Sequence, residues 1–242
     1  DEVANFTEQI NGGLNVDYIT KVIKPSIEGR ANENITNKQA ESRNVLNEYK
    51  ANLTADQFKA FEDRIAAGNS LDIENQIQAE IKNTSNKEIE KARDAQYITI
   101  INNYNNLTAE QRDAFQKQIA EATSVADLNA IGANITNTVN SNAELKAAKD
   151  QAIADIKNLP TLTETEKQAY IDQVNNQTDR NQIAPIVDAA KEADNNKQAA
   201  IELQNYKDQA NTSIDALAAL TADQRQGFKD RVKGSTDKAS ID

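Results

Sequence analysis

The side chains that most often carry catalysis are missing from this chain of 242 residues, which contains no histidine and no cysteine. Their absence excludes Ser-His and Cys-His nucleophiles, disulfides and zinc-thiolate sites, and it removes the commonest general base near neutral pH. The chemistry that remains is that of carboxylates, lysines and tyrosines. We therefore expect no enzyme, no cofactor and no metal centre.

Acidic neighbours such as Glu62 and Asp63 come closest to a reactive pair. Two carboxylates could act as acid and base or bind calcium, but adjacent residues of a helix point apart. The chain also lacks the D-x-[DN]-x-[DN]-G loop with a distal Glu that is typical of calcium sites. A solvated helix face is the favoured interpretation, and the sequence assigns no ligand-binding residue.

The composition favours several slender helical cores over one broad globule, because 38% of the residues are hydrophobic and only 5% are aromatic. Three prolines and seven glycines suit helices that are joined by short turns. The formal net charge of -11 disfavours nucleic acid and anionic lipid, which bind clusters of Lys and Arg. No apolar run approaches the roughly 20 residues that span a bilayer, and we expect none of these residues to form a signal peptide. The chain has no methionine and begins inside a repeat, which indicates a segment of a longer protein.

The sequence repeats itself about every 55 residues. The copies are NLTADQFKAFEDRI from Asn52, NLTAEQRDAFQKQI from Asn106, TLTETEKQAYIDQV from Thr161 and ALTADQRQGFKDRV from Ala219. Their aromatic residues, separated by 54, 55 and 58 positions, are Phe61, Phe115, Tyr170 and Phe228, and Phe6 lies 55 positions before the first. This period predicts an array of structural units.

Each copy carries the start of a helix, because a Leu-Thr pair is followed by Gln or Glu three residues after the threonine. This spacing is a capping box, in which the Thr side chain and the Gln or Glu side chain each accept a backbone N–H of the other residue. The boxes are Thr54 with Gln57, Thr108 with Gln111, Thr163 with Glu166, and Thr221 with Gln224, after Leu53, Leu107, Leu162 and Leu220. One turn beyond the aromatic, the inner face continues with Ile10, Ile65, Ile119, Val174 and Val232. We expect this second helix to end near Gly12-Gly13, Gly68, Ala122, Gln177 and Gly234.

A third helix is predicted to begin nine residues after each aromatic, at residues that are good N-caps: Asn15, Ser70, Ser124, Asp179 and Asp237. Its inward stripe includes Val22, Ile77, Ile131 and Ile186. A first helix, upstream of each copy, contributes the pairs Val45 with Tyr49, Ile101 with Tyr104, Ile153 with Ile156, and Tyr206 with Ala210. Each repeat is therefore expected to be a three-helix bundle.

Tyr49, Tyr97, Tyr104 and Tyr206 could form a sticky stripe, but they lie at helical spacing with aliphatic residues. We expect these rings in the cores with their hydroxyl groups at the rim.

Between Gly68 and Gly132 there is neither glycine nor proline, so a third helix could continue into the first helix of the next repeat. A single helix from about Ser70 to about Asn105 would be about 54 Å long. Because the second helix runs back in the opposite direction, the net advance would be about 30 Å per repeat. The competing interpretation is a break at KNTSNKE from Lys82, which is poor in helix formers. Pro185 is expected to kink its helix or shift its start.

The expected fold is all-α, with tandem three-helix bundles joined by long shared helices into an elongated rod. Residues 1–30 would be a partial repeat with the second and third helices, and residues 196–242 a partial repeat with the first and second. The complete repeats would be residues 31–85, 86–140 and 141–195.

The segment AELKAAKDQAIADIKNLPTLTETEKQAYIDQVNNQTDRNQIAPIVDAAKEAD, residues 143–194, resembles the GA and FIVAR modules of Gram-positive surface proteins. It is similar in particular to the Ebh/Embp family of giant staphylococcal extracellular-matrix-binding proteins. The LT-x-x-[EQ] segment, the following aromatic and the NN-x-T-D turn carry the resemblance, which extends over the successive copies. It implies a cell-wall-linked protein outside the cell, with serum albumin as a ligand of GA modules and fibronectin as a ligand of FIVAR units.

Albumin-binding GA modules present apolar side chains along the second helix, as the resemblance implies. The matching positions here are polar: Asp56, Gln57, Lys59, Glu164, Thr165, Glu166, Lys167 and Gln168. We interpret them as solvated faces, which disfavours albumin relative to fibronectin. The function expected from the sequence is a monomeric stalk or spacer in adhesion, whose partners are its own neighbouring repeats. The alternative is a weak, multivalent binding module for a host matrix or serum protein.

Overall fold

The computed structural model describes residues 2–12 and 15–241, which fold into helices and contain no strand, so the all-α prediction is confirmed. Within these described ranges, ten α-helices follow one another with short 3₁₀ and π turns between some of them. They are α1 Glu2–Asn11, α2 Val16–Tyr18, α3 Lys24–Tyr49, α4 Ala55–Ala67, α5 Leu71–Asn102, α6 Ala109–Glu121, α7 Val125–Lys157, α8 Glu164–Asn175, α9 Ile183–Ala216 and α10 Ala222–Gly234.

The chain divides into two compact units, Asp1–Val139 and Asn140–Asp242. The first unit holds two cores. The first bundle packs α3, α4 and the start of α5 around Leu46, Phe61, Ile65, Ile77 and Ile81. The second bundle packs the end of α5, α6 and the start of α7 around Ile100, Leu107, Phe115, Ile119, Leu128, Ile131 and Ile135.

The second unit holds the third bundle, which packs the end of α7, α8 and the start of α9. Its core consists of Ala152, Ile156, Ile171, Val174, Ile183, Val187 and Ala190. The end of α9 and α10 follow as a helix pair. Each bundle thus buries a handful of aliphatic side chains from three helices, as the periodic spacing predicts.

All four predicted capping boxes are present. In the first, the N–H of Gln57 donates to the Thr54 hydroxyl oxygen at 3.2 Å, and the N–H of Thr54 donates to the Gln57 side-chain oxygen at 2.9 Å. The same reciprocal bonds open α6, α8 and α10. Because these bonds satisfy N–H groups that the helix leaves free, the Leu-Thr motif fixes where each second helix begins.

The predicted N-caps of the third helices also accept backbone N–H groups. Ser70 caps α5 and Ser124 caps α7, while Asn15 caps the short α2. Asp179 caps a 3₁₀ turn, Arg180–Gln182, and α9 begins after it, so Pro185 lies in the first turn of α9. Of the two effects expected of Pro185, a kink or a shifted helix start, the structure shows the shifted start. Asp237 accepts from Ser240 N–H in a turn, and no helix follows Gly234 in the residues described up to Ile241.

Helix α5 runs without interruption through KNTSNKE, so the predicted continuous helix is confirmed and the competing interpretation, a break at Lys82, is wrong. Its 32 residues correspond to about 48 Å. The polar side chains of this stretch do not interrupt the helix because every fourth residue still faces a core: Ile77, Ile81 and Ile89 pack inward. Tertiary packing here outweighs weak helix propensity.

The register of the first partial repeat differs from the prediction. Val22 is 44% exposed, and its neighbour Ile23 is buried instead. The cause is a π turn, Ile19–Ile23, whose wider turn moves the inward face by one residue. Ile10 is also exposed, and Phe6 is only half-buried. The second helix ends at Asn11 with Gly12 in a turn, while Gly13 lies outside the described residues.

The predicted pair Ile101 with Tyr104 is wrong, because these side chains are 67% and 57% exposed. Ile100 and Tyr97 face the second core in their place. The spacing between the buried first-helix residue and the following Leu is seven positions here, from Ile100 to Leu107, and six in the third bundle, from Ile156 to Leu162. A prediction that counts positions from the aromatic residue therefore misplaces the inward residue of this first helix by one position.

Tyr49 borders the first core and Tyr97 the second, as predicted. Val45 and Ile153 are half-buried and pack against the first and third cores, also as predicted. Tyr206 and Ala210 are half-buried in the last helix pair. In the predicted inward stripe of the third helices, Ile77 and Ile131 are buried, whereas Ile186 is half-buried between the buried Ile183 and Val187.

The aromatic anchors differ in burial. Phe61 and Phe115 are buried, and Tyr170 packs against the third core from a half-buried position. Phe228 is 43% exposed, which corrects its prediction as a core anchor. It lies at an open groove between α9 and α10 with Ile214, Val232 and Ile241, because the described part of the last repeat provides two helices. The predicted inward Val232 is buried.

Candidate functional site

A side chain on the first helix binds the end of the second helix in the three bundles and in the last helix pair. Gln39 donates to the carbonyl oxygen of Gly68 at 2.9 Å, and Arg93 donates to those of Ile119 and Ala122 at 3.3 and 3.0 Å. The ammonium groups of Lys149 and Lys207 make the same contact, to Asn175 at 2.7 Å and to Lys233 at 2.9 Å. These donors satisfy carbonyl groups that a helix leaves free at its C-terminus and complement its dipole.

In three copies, a cation on the second helix binds the end of the first helix or the connection that follows it. Arg112 donates to the carbonyl oxygens of Tyr104 and Leu107 at 2.7 and 2.6 Å, and its guanidinium lies 3.8 Å from the Tyr104 ring centroid. Lys167 donates to Lys157 at 3.0 Å and Arg225 to Leu220 at 3.0 Å. In the first bundle this position is Phe58, whose ring faces the Lys50 ammonium at 5.1 Å. The basic residues thus connect helices within bundles.

In the first and third bundles, the loop before the second helix contacts the long helix that follows. In the third bundle, Thr161 donates from its N–H and its hydroxyl to Asp194, each at 2.8 Å, and Leu162 N–H donates at 3.0 Å. Burial raises the pKa of Asp194, but these three hydrogen bonds outweigh it and leave the pKa below its ordinary value. In the first bundle, Asn52 donates to Ser85 at 3.1 Å across the same 33-residue separation.

The capping-box residues also reach the long helix. Gln57 donates to Glu88 at 2.9 Å, and Glu166 accepts from Lys197 at 2.6 Å. The donor is therefore on the second helix in the first bundle and on the long helix in the third. The hydrogen bond from Lys197, together with the N–H and hydroxyl of Thr163, lowers the pKa of Glu166 to about 2. A carboxylate held in this way stays ionised and is unsuited to proton transfer near neutral pH.

These contacts correct the interpretation of the second-helix surface. Asp56, Lys59, Glu164, Thr165 and Gln168 are exposed, as expected. Gln57 and Glu166 instead bridge to the long helix, and only 12% of the Lys167 side chain is exposed because it caps α7. Glu62 and Asp63 lie on a solvated face, and Asp63 pairs with Lys59 at 3.1 Å.

Sequence reasoning missed the helix-to-helix caps, although a signal for them exists. Gln39, Arg93, Lys149 and Lys207 each precede the inward aliphatic residue of the first helix by seven positions, which is two helical turns. A polar side chain at that spacing lies on the inward face and needs a partner there.

One apolar patch breaks the pattern of polar surfaces. Ile98 and Ile101 near the end of α5, and Tyr104 in the 3₁₀ turn that follows, are 55%, 67% and 57% exposed. The positions that correspond to Ile98 and Ile101, counted from the inward aliphatic residue, are Asn44 and Asn47 in the first bundle, Ala154 and Lys157 in the third, and Thr212 and Asp215 in the last helix pair. The second bundle is therefore distinguished by this surface.

In residues 2–12 and 15–241, no cluster of three or more acidic side chains is arranged to hold a metal ion. The described helices include none that combines the length and apolar character needed to cross a membrane.

Repeated three-helix bundles whose charged groups serve as helix caps define a class of helical repeat proteins. The GA module family model matches residues 88–141, 142–196 and 200–242, which is more than half of the chain. The chain therefore belongs to the GA module family and is a repeat region of a surface protein.

Among solved structures, the chain is similar to the 756–1003 domain of EbhA from Staphylococcus aureus. The two share 18% sequence identity with a TM-score of 0.45, over 86% of this chain and 96% of that domain. No curated protein matches the chain.

Proposed function

We propose that this chain is a stalk or spacer segment of an adhesin at the bacterial cell wall, which holds other parts of the protein away from the surface. The observation that carries the proposal is that α5 serves two bundles without a break. Ile77 and Ile81 enter the first core, while Ile89, Tyr97 and Ile100 of the same helix enter or border the second. A shared helix transmits position and force from one bundle to the next, as a spacer requires.

The distribution of polar contacts supports the same function. The capping boxes and the helix-to-helix caps recur from copy to copy, whereas the exposed residues differ between copies. Repetition of the scaffold without repetition of a surface is typical of a spacer, because a multivalent binder would repeat its contact residues.

Small-angle X-ray scattering of the full chain tests this proposal. A compact protein of this length would have a radius of gyration of about 18 Å. A spacer that advances by about 30 Å per repeat would have a radius of gyration roughly twice as large. A value near that of the compact particle would reject the stalk.

A second candidate function is weak binding of a host matrix or serum protein, with fibronectin preferred to albumin. The exposed patch of Ile98, Ile101 and Tyr104 favours it, because an aromatic ring beside aliphatic side chains is common at binding hot spots. The test is retention of the chain on immobilised fibronectin and on immobilised albumin. Ile101→Asn, which introduces the residue type of Asn47, should reduce retention at least tenfold, whereas Asn47→Ala should not. Equal retention of parent and Ile101→Asn would reject a role for the patch.

A further inference from the structure

The side chain of Asn52 joins two successive bundles of the first unit. Its nitrogen donates to the Ser85 hydroxyl oxygen at 3.1 Å, and its oxygen accepts from the backbone N–H of Val125 at 3.0 Å. Asn52 ends the 3₁₀ turn that leads from the first helix of the first bundle. Val125 is the first residue of α7, which is the third helix of the second bundle. The contact links positions that are 73 residues apart.

Ser85 lies midway between the two cores on the inward face of α5. The residues at four-residue spacing along this face are Ile77, Ile81, Ser85 and Ile89, so a hydroxyl interrupts an apolar stripe at the junction. Ser85 is fully buried although it is polar. A buried hydroxyl needs a hydrogen-bond partner, and Asn52 supplies one from the loop above it.

In these two contacts the side chain of Asn52 donates one hydrogen bond and accepts another, which a carboxamide can do. The start of α7 offers N–H groups that have no partner within the helix. Ser124 accepts the N–H of Asp127 at 3.0 Å, while Asn52 accepts that of Val125. One N–H group of the second bundle is therefore satisfied by a residue of the first.

We propose that Asn52 is a positioning residue that clamps the first bundle to the second and fixes the angle between them. A single helix, α5, allows two bundles to bend and twist about its axis. An attachment beside that axis, at the start of α7, removes this freedom. The clamp deepens the stalk proposal and rests on it for its biological purpose, but the contact can be tested by itself.

The absence of cysteine permits a direct test on the full chain. Spin labels are attached to Lys59→Cys on α4 and Lys117→Cys on α6, whose native side chains are 73% and 77% exposed. Electron-electron distance measurements then report the spread of distances between the two bundles. In the labelled parent we expect one narrow distribution, and Asn52→Ala should widen it at least twofold. Asn52→Asp should restore the narrow distribution, because a carboxylate can accept from both Val125 N–H and the Ser85 hydroxyl.

Thr161→Ala is the matched control, since Thr161 occupies the same repeat position but binds Asp194 within its own bundle. It should leave the distribution unchanged. Amide exchange adds a readout inside the second bundle. In Asn52→Ala, the Val125 amide should exchange about fivefold faster, while that of Asp127, which Ser124 still caps, should not. This comparison remains valid even if the first bundle is weakened.

An unchanged distance distribution together with an unchanged Val125 exchange rate in Asn52→Ala would overturn the clamp. That result would leave the stalk intact if scattering shows an extended chain. A compact scattering particle would instead reject the stalk, whatever the effect of Asn52.

Discussion

The carboxylate of Glu74 occupies the space that a side chain at Gly68 would fill. A Cβ atom placed on Gly68 would collide with the Glu74 carboxylate. Glu74 is fully buried, and neither carboxylate oxygen has a hydrogen-bond partner among the described residues. In the second bundle the corresponding positions, counted from the aromatic ring, are Leu128 and Ala122, and Leu128 belongs to the core. The first bundle therefore carries an acid where its neighbour carries an aliphatic residue.

Glu74→Leu should stabilise the first bundle by about 1–3 kcal/mol, because it removes a buried polar group that has no partner. The measurement is the free energy of opening of α4 and α5 amides by native-state hydrogen exchange. Amides of α8, in the third bundle, serve as the internal reference. A loss of stability would show that Glu74 has a compensating interaction.

Gly68→Ala tests the contact between the Gly68 position and the Glu74 carboxylate by adding a Cβ atom at Gly68. Alone it should destabilise the first bundle by up to about 1 kcal/mol, because the added Cβ atom forces the flexible end of the Glu74 side chain to move. In the Glu74→Leu background it should be tolerated, since that pair corresponds to Ala122 and Leu128 of the second bundle. Additive effects in this double-mutant cycle would mean that the two positions do not interact.

The elements that the sequence predicted best are those encoded by local contacts. Thr54 and Gln57 are three residues apart, so their reciprocal bonds follow from the spacing alone, and Ser70 caps α5 for the same reason. The all-α class and the inward positions of Phe115 and Ile119 also follow from periodic spacing.

The features that escaped prediction depend on partners that are distant in sequence or on changes of register. Asn52 and Val125 meet only after two bundles have formed, and nothing in the sequence around Asn52 specifies that contact. Ile100 lies seven positions before the Leu of its repeat, whereas Ile156 lies six positions before the Leu of its own. Because of this one-residue difference, Ile101 and Tyr104 lie at the surface and not in the core, where they were predicted. The π turn before Lys24 had the same effect on Val22.

The burial of Phe115 predicts a large effect of its removal. Phe115→Ala should destabilise the second bundle by about 3–5 kcal/mol, because the ring is 8% exposed and its loss leaves a cavity. Phe228→Ala is the matched control at the same repeat position, and it should cost about 1 kcal/mol because that ring is 43% exposed. Hydrogen exchange of α6 and α10 amides measures both. A loss below about 1 kcal/mol for Phe115→Ala would contradict the observed register.

The helix cap made by Arg93 should be energetically important. Arg93→Ala removes donors to the Ile119 and Ala122 carbonyl groups at the end of α6, and we expect the second bundle to lose about 1–3 kcal/mol. Arg93→Gln, which introduces the residue type of Gln39, should recover part of this loss. Lys117→Ala, on an exposed face of the same bundle, should change stability by less than about 0.5 kcal/mol. Equal effects of Arg93→Ala and Lys117→Ala would argue against the cap.

The lowered pKa of Glu166 predicts that the third bundle is stabilised by this residue only above strongly acidic pH. Since its folded pKa is about 2 and a free glutamate titrates near pH 4.3, the stabilisation is fully present above that value and is lost as pH falls towards 2. Parent and Glu166→Gln should therefore differ in thermal stability at pH 7 and converge at pH 2. Lys197→Met removes the main cause of the lowered pKa, so it should narrow the pH range over which Glu166 contributes. Because both side chains are partly exposed, high salt should reduce the difference at pH 7. A difference between parent and Glu166→Gln that stays constant from pH 7 to pH 2 would exclude the Lys197 hydrogen bond as its origin.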